Sequence, residues 1–180
     1  MNNTTRKLVY SALCVAIGVV LPMVFHSVEG AGWILLPMHI PVLLCGLLCG
    51  WEYGLAAGVL TPLASSLLTG MPPLGYLPPM LVELAIYGLC AGLLAGLVRT
   101  KNQLLALYIA LIGAMLLGRV AYGIVNALIF SSGQGYSIAA WAQSMFVTAL
   151  PGIVLQLMML PSIVFALQRA GLAAPLGKSA

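Results

Sequence analysis

The chain has 180 residues, 62% of them hydrophobic and 6% charged, with a formal net charge of +4. At a mean hydropathy of +1.12, so few polar groups cannot cover a water-facing surface. A soluble globular domain is therefore excluded, and the chain must face lipid. The seven basic residues are scattered and lack interleaved aromatics, which excludes a nucleic-acid interface.

At roughly 20 residues per crossing, the length holds about six spans and no separate soluble domain. The N-terminal stretch MNNTTRKLVYSALCVAIGVVLP puts basic residues before an apolar run, as a signal peptide does. The run is long and no small-x-small cleavage site follows it, so it reads as a retained first span, Leu8 to Phe25. The segment HSVEGAGWILLP leads to a brief second span from about Met38 to Cys49. Only Gly50, Trp51 and Glu52 separate it from a third, Tyr53 to Leu68, which predicts a tight helical hairpin. Span four is Pro79 to Val98, span five Leu104 to Phe130 and span six Ala139 to Leu167. The expected fold is an all-α membrane protein, one six-helix transmembrane bundle over residues 1–180.

Basic residues orient such a bundle. With both termini on one side, that side holds Arg6, Lys7, Arg99, Lys101, Arg169 and Lys178, while the loops near 26–37, 70–78 and 131–138 hold none. Both termini are expected in the cytoplasm, with Arg119 left inside a span. Glycines mark close helix contacts: Gly88, Gly92 and Gly96 repeat every four residues, as do Gly46 and Gly50, and Gly54 and Gly58. Cys14, Cys45, Cys49 and Cys90 all lie in apolar runs. Cys45 and Cys49 have helical i, i+4 spacing, but without a nearby histidine or carboxylate they read as packing residues, not as a metal pair.

Two charged groups fall inside spans. Glu83 sits about one turn into span four, where Pro79 is placed to start the helix, and Arg119 lies in the middle to outer part of span five. Ionisable groups at membrane depth usually face a cavity or one another. One reading is a Glu83–Arg119 ion pair that staples two helices, and the other is a polar pocket open to the outside. Tyr122 and Asn126 share a helix face with Arg119 at i+3 and i+7. A cation, a phenol and an amide in a row suit a ligand with a carboxylate or other acceptors better than a staple. His39 at the outer start of span two and Gln156 midway along span six are further candidates. Trp33 and Tyr76 read either as lid residues in VEGAGWILLP and GMPPLGYLPP or as interface aromatics, with SSGQGYS as a third lid segment. Ser65 and Ser66 are expected to bond their own backbone.

SALCVAIG, with Ala12 and Ala16 as A-x-x-x-A, and the run LPMHIPVLLCGLLCG…YGLAAGVLTPLASSLLTGMPP resemble the substrate-binding S component of an energy-coupling factor (ECF) vitamin transporter. The resemblance covers essentially the whole chain. It implies a protein of the prokaryotic plasma membrane that captures a vitamin near the outer face: pantothenate, folate, niacin, pyridoxine or another. It implies delivery through a membrane coupling subunit and two ATPase subunits, with Ala12 and Ala16 on the docking face. The small-residue series breaks at Val20. Asn2 stands where nickel and cobalt carriers of the superfamily have histidine, so a metal substrate is not expected.

No phosphate-cradling glycine loop with lysine, HExxH or serine–histidine–acid set is present, so neither ATP hydrolysis by this chain nor another enzymatic activity is expected, and no cofactor. Two alternatives stay open. One is a ligand-free membrane structural or assembly protein. The other is a stand-alone secondary transporter, which should carry an inverted repeat. No such repeat is visible in the sequence.

Overall fold

A computed structural model describes residues 3–25, 34–98, 100, 102–130 and 137–173. Among these residues every regular element is helical: α1 (Asn3–Phe25), α2 (His39–Cys49), α3 (Trp51–Thr69), α4 (Leu77–Leu97), α5 (Gln103–Phe130), α6 (Ile138–Ala142) and α7 (Leu150–Arg169). A single π-helical turn, Gln143–Thr148, links α6 to α7. By length and composition α1, α4, α5 and α7 can each cross a membrane, and α2 is a shorter apolar helix. The 19-residue α3 carries Glu52 in its first turn and Pro62 inside.

The helices run alternately up and down. Gln103 Nε2 donates to Gln168 Oε1 at 2.7 Å, joining the start of α5 to the end of α7. Gly92 abuts Trp51, joining the end of α4 to the start of α3. We call this end the base. The starts of α2, α4 and α7 and the close of α5 therefore meet at the opposite end, the rim.

α4 is the centre of the bundle, packed extensively on α3, α5 and α2. Its contact with the hairpin depends on glycine. A Cβ built on Gly88 would fall on the Gly54 backbone, one on Gly46 or Gly54 on the Gly88 carbonyl, and one on Gly58 on the Leu84 carbonyl. Only hydrogen fits at these crossings, and the close approach gives the helices dispersion contact that lipid would not drive. Gly96 meets nothing within 4 Å, so the expected face ends one turn earlier, at Gly92. Gly50 serves the hairpin differently: at φ 98° it is the single residue between α2 and α3, a conformation that glycine adopts without Cβ strain.

The main core joins Leu43 and Leu47 of α2, Leu84 and Ala91 of α4, Leu107 and Leu111 of α5, and Leu160 and Val164 of α7. A smaller cluster of Cys14, Cys45, Cys49 and Ala57 sits between α1, α2 and α3, and its three cysteines, like Cys90 on α4, are free. α1 is the least buried of the four long helices.

Three local expectations are corrected. Span six is not one helix from Ala139 to Leu167. It breaks at Ala149, where the π-helical turn ends, because Pro151 has no N–H to continue the ladder and sits instead in the first turn of α7. α4 begins at Leu77, two residues before Pro79. Neither serine is satisfied by its own helix: Ser66 Oγ donates to the Pro72 carbonyl at 3.0 Å, and Ser65 Oγ is buried without a partner.

Candidate functional site

Near the rim, polar side chains from α2, α4, α5 and α7 converge in an otherwise apolar interior. His39 opens α2, and its backbone N–H donates to the Leu36 carbonyl at 3.1 Å. Glu83 and Tyr87, one helical turn apart, share a face of α4. His39 Nε2 lies 3.6 Å from Glu83 Oε2, within ion-pair range, and both side chains are buried. The His39 and Tyr87 rings meet edge to face, with centroids 5.2 Å apart. Tyr87 is also within electrostatic reach of both Glu83 and Arg119. Gly118 makes room for it, since a Cβ there would fall on the Tyr87 ring.

Arg119 is 2% exposed. Its Nη1 donates weakly to Met145 Sδ at 3.9 Å, and its guanidinium carbon stands 5.7 Å from the Phe146 ring centroid. Both partners belong to the π-helical turn, an irregularity common where a helix must aim side chains at a site. Phe146 packs edge to face on Trp141 at 5.8 Å, and the Trp141 indole covers Gly123, one turn beyond Arg119. Aromatic side chains thus wall the guanidinium.

Gln156 completes the rim. Its Nε2 donates at 3.4 Å to the same Leu36 carbonyl that His39 uses. Leu36 holds φ 51°, a strained value for a branched residue, and Gly152 lets α7 pack directly on the Ile34 and Leu35 backbone. The segment before α2 is therefore clamped onto α7.

Several buried polar atoms here have no hydrogen-bond partner: both His39 ring nitrogens, Tyr87 Oη, Arg119 Nε and Nη2, Trp141 Nε1 and Gln156 Oε1. Each such atom costs about 1–3 kcal/mol, and more when charged. A bundle that needed only stability would not collect them in one place. A set of buried donors and acceptors without protein partners is what a binding site offers before its ligand arrives.

The structure brings Glu83, His39 and Arg119 together around Tyr87, with Gln156 joined through Leu36. Of the two readings of Glu83 and Arg119, it does not form the Glu83–Arg119 staple. Among the described residues the basic side chain within 4 Å of the Glu83 carboxylate is His39, because the α2 start delivers it there while Arg119 faces the π-helical turn. Tyr122 is buried on α5 and Asn126, one turn further, is half-buried. Trp33 lies outside the described residues, as do residues 28–33 and 131–136 of the expected lids. Ala12 and Ala16 are exposed on α1. Among the described residues no group of three or more histidine, cysteine or acidic side chains could hold a metal.

Sequence reasoning missed Tyr87, Trp141, Met145 and Phe146. Tyr87 was within reach, at i+4 from Glu83. The other three depend on the break in span six, which carried only the weak signal of Leu150-Pro151-Gly152.

An all-helical bundle with several membrane-crossing helices and an unsatisfied polar cluster in its interior defines a membrane protein organised around a small buried site. The family of ECF transporter substrate-specific components matches residues 6–176, and the chain belongs to it. It is thus a substrate-specific subunit of a transporter in a family of multi-pass membrane proteins. No curated protein matches the chain.

Proposed function

We propose that this protein is the vitamin-binding subunit of an ATP-driven ECF importer. It captures its substrate from the outer face in the cluster of His39, Glu83, Tyr87, Arg119, Trp141 and Gln156, with Tyr122 and Asn126 extending the site along α5 and Trp33 within its lid. Six passes, α2 and α3 forming the short second and third, place both termini in the cytoplasm of a prokaryotic plasma membrane. The base, where Arg6 and Lys7 come near Cys49 and where Arg169 ends α7, is then the inner face. A membrane coupling subunit docks on α1 at Ala12 and Ala16, and two ATPase subunits drive release of the substrate inside.

One observation carries this reading: the concentration of buried polar atoms without partners at the rim. The exposure of Ala12 and Ala16 on the least buried long helix supports the docking face. The ligand-free structural alternative relied on a Glu83–Arg119 staple, and Glu83 pairs with His39 instead.

The test is mass spectrometry of small molecules retained by the purified, detergent-solubilised chain after exposure to a deproteinised cell extract. A vitamin-sized compound retained at about one per chain is the expected result. Failure of any compound to be retained would return the cluster to a structural role.

A further inference from the structure

We infer that the substrate is a monocarboxylate and that its carboxylate seats on the Nε/Nη2 edge of Arg119. The inference rests on the binding function proposed above and narrows its substrate class.

The argument starts from which guanidinium atoms are occupied. Nη1 is turned to Met145 Sδ, whereas Nε and Nη2 have no partner. These two nitrogens share one edge of the planar group, and their N–H bonds run parallel. That edge matches a carboxylate, whose two oxygens accept the pair as a fork. The Phe146 ring and the thioether hold the guanidinium, so the free edge is set in advance by protein contacts.

Charge decides between anions. Arg119 is the one arginine or lysine that the described residues bury, and Glu83 is engaged by His39 at 3.6 Å. No carboxylate among the described residues contacts Arg119 directly, so a singly charged anion can reach its free edge with the least burial of further charge. A phosphate monoester brings closer to two charges near neutral pH and would bury more of them in the apolar interior. A monocarboxylate brings one charge, spread over the two oxygens that the fork accepts.

The remaining orphans describe the rest of the molecule. Trp141 Nε1 only donates, Tyr87 Oη can donate, and Gln156 Oε1 only accepts. The ligand body therefore carries at least one further acceptor. The perpendicular Trp141 and Phe146 rings offer it an apolar wall.

The experiment compares acids with their neutral isosteres: nicotinate with nicotinamide, pantothenate with pantothenyl alcohol, and biotin with biotin amide. Any compound retained from the cell extract is tested alongside its methyl ester. Binding to the full chain is measured by titration calorimetry for wild type, Arg119→Met and Arg119→Lys. The lysine variant keeps the charge but loses the fork, and its size-exclusion profile reports folding independently of binding. The expected result is an acid bound at least tenfold tighter than its neutral isostere by wild type. Both variants should reduce that preference to threefold or less. A neutral isostere that binds wild type equally well, or a preference that survives in Arg119→Met, overturns the carboxylate assignment while leaving small-molecule capture standing. Absence of binding by every panel member and extract compound overturns both.

Discussion

Two adjoining faces of α4 show opposite economies. One face, with Gly88 and Gly92, removes side chains so that backbone meets backbone on α2 and α3. The neighbouring face, with Glu83 and Tyr87, carries bulky polar groups toward α2 and α5 and leaves Tyr87 Oη without a partner. The first face is saturated with contact, and the second keeps hydrogen-bonding capacity in reserve. The difference teaches how one helix can be both scaffold and site. The glycine seam fixes α4 in place, so the polar face next to it can hold unsatisfied groups without collapsing around them.

The largest effect should come from filling the seam. Gly88→Leu drives a side chain into the Gly54 backbone, which cannot swing aside as a side chain would. The cost should exceed the ~1–3 kcal/mol of ordinary overpacking. Loss of the monodisperse peak on size exclusion is the expected readout. Gly96→Leu, where nothing lies within 4 Å, should change stability by about 0.5 kcal/mol or less. Similar behaviour of the two variants would erase the distinction between the faces.

The next effect has the opposite sign. Arg119→Met removes a buried charge with two unpartnered nitrogens, so the unliganded protein should gain about 1–3 kcal/mol. Thermal unfolding in detergent without ligand measures it. A lower melting temperature would mean that Arg119 is already satisfied and the polar face holds nothing in reserve.

The smallest effect separates two partners of Glu83. A double-mutant cycle on Glu83→Gln and His39→Phe should give a coupling of about 1 kcal/mol, as expected for groups in contact. The same cycle with Arg119→Met should give roughly half that or less. Stronger coupling to Arg119 would restore the staple.

Much of the bundle was legible because lipid imposes a simple rule. Apolar runs must be helical to satisfy their own backbone, so hydropathy alone located α1, α4 and α5 to within a few residues. The expected continuity of span six from Ala139 to Leu167 failed for a reason that hydropathy cannot register. Pro151 and the π-helical turn change hydrogen bonding without changing how apolar the segment is. For the site, the cost of charge at membrane depth singled out Glu83 and Arg119, and both are buried at the rim. Whether they pair with each other or face a pocket stayed open, because charge alone does not specify geometry.

The sequence by itself determined the class of protein, its helical content, the glycine seam of Gly46, Gly54, Gly58, Gly88 and Gly92, and the burial of Glu83 and Arg119. These follow from composition and spacing, because the energetics of transfer into lipid act residue by residue. Only the tertiary structure decided that His39 lies beside Glu83, that Tyr87 comes within reach of both charged groups, and that a broken helix brings Met145 and Phe146 to Arg119. Residues separated by as much as 120 positions, as Leu36 and Gln156 are, meet through the packing of whole helices. Which of their atoms remain unpartnered depends on distances and angles that no linear pattern encodes.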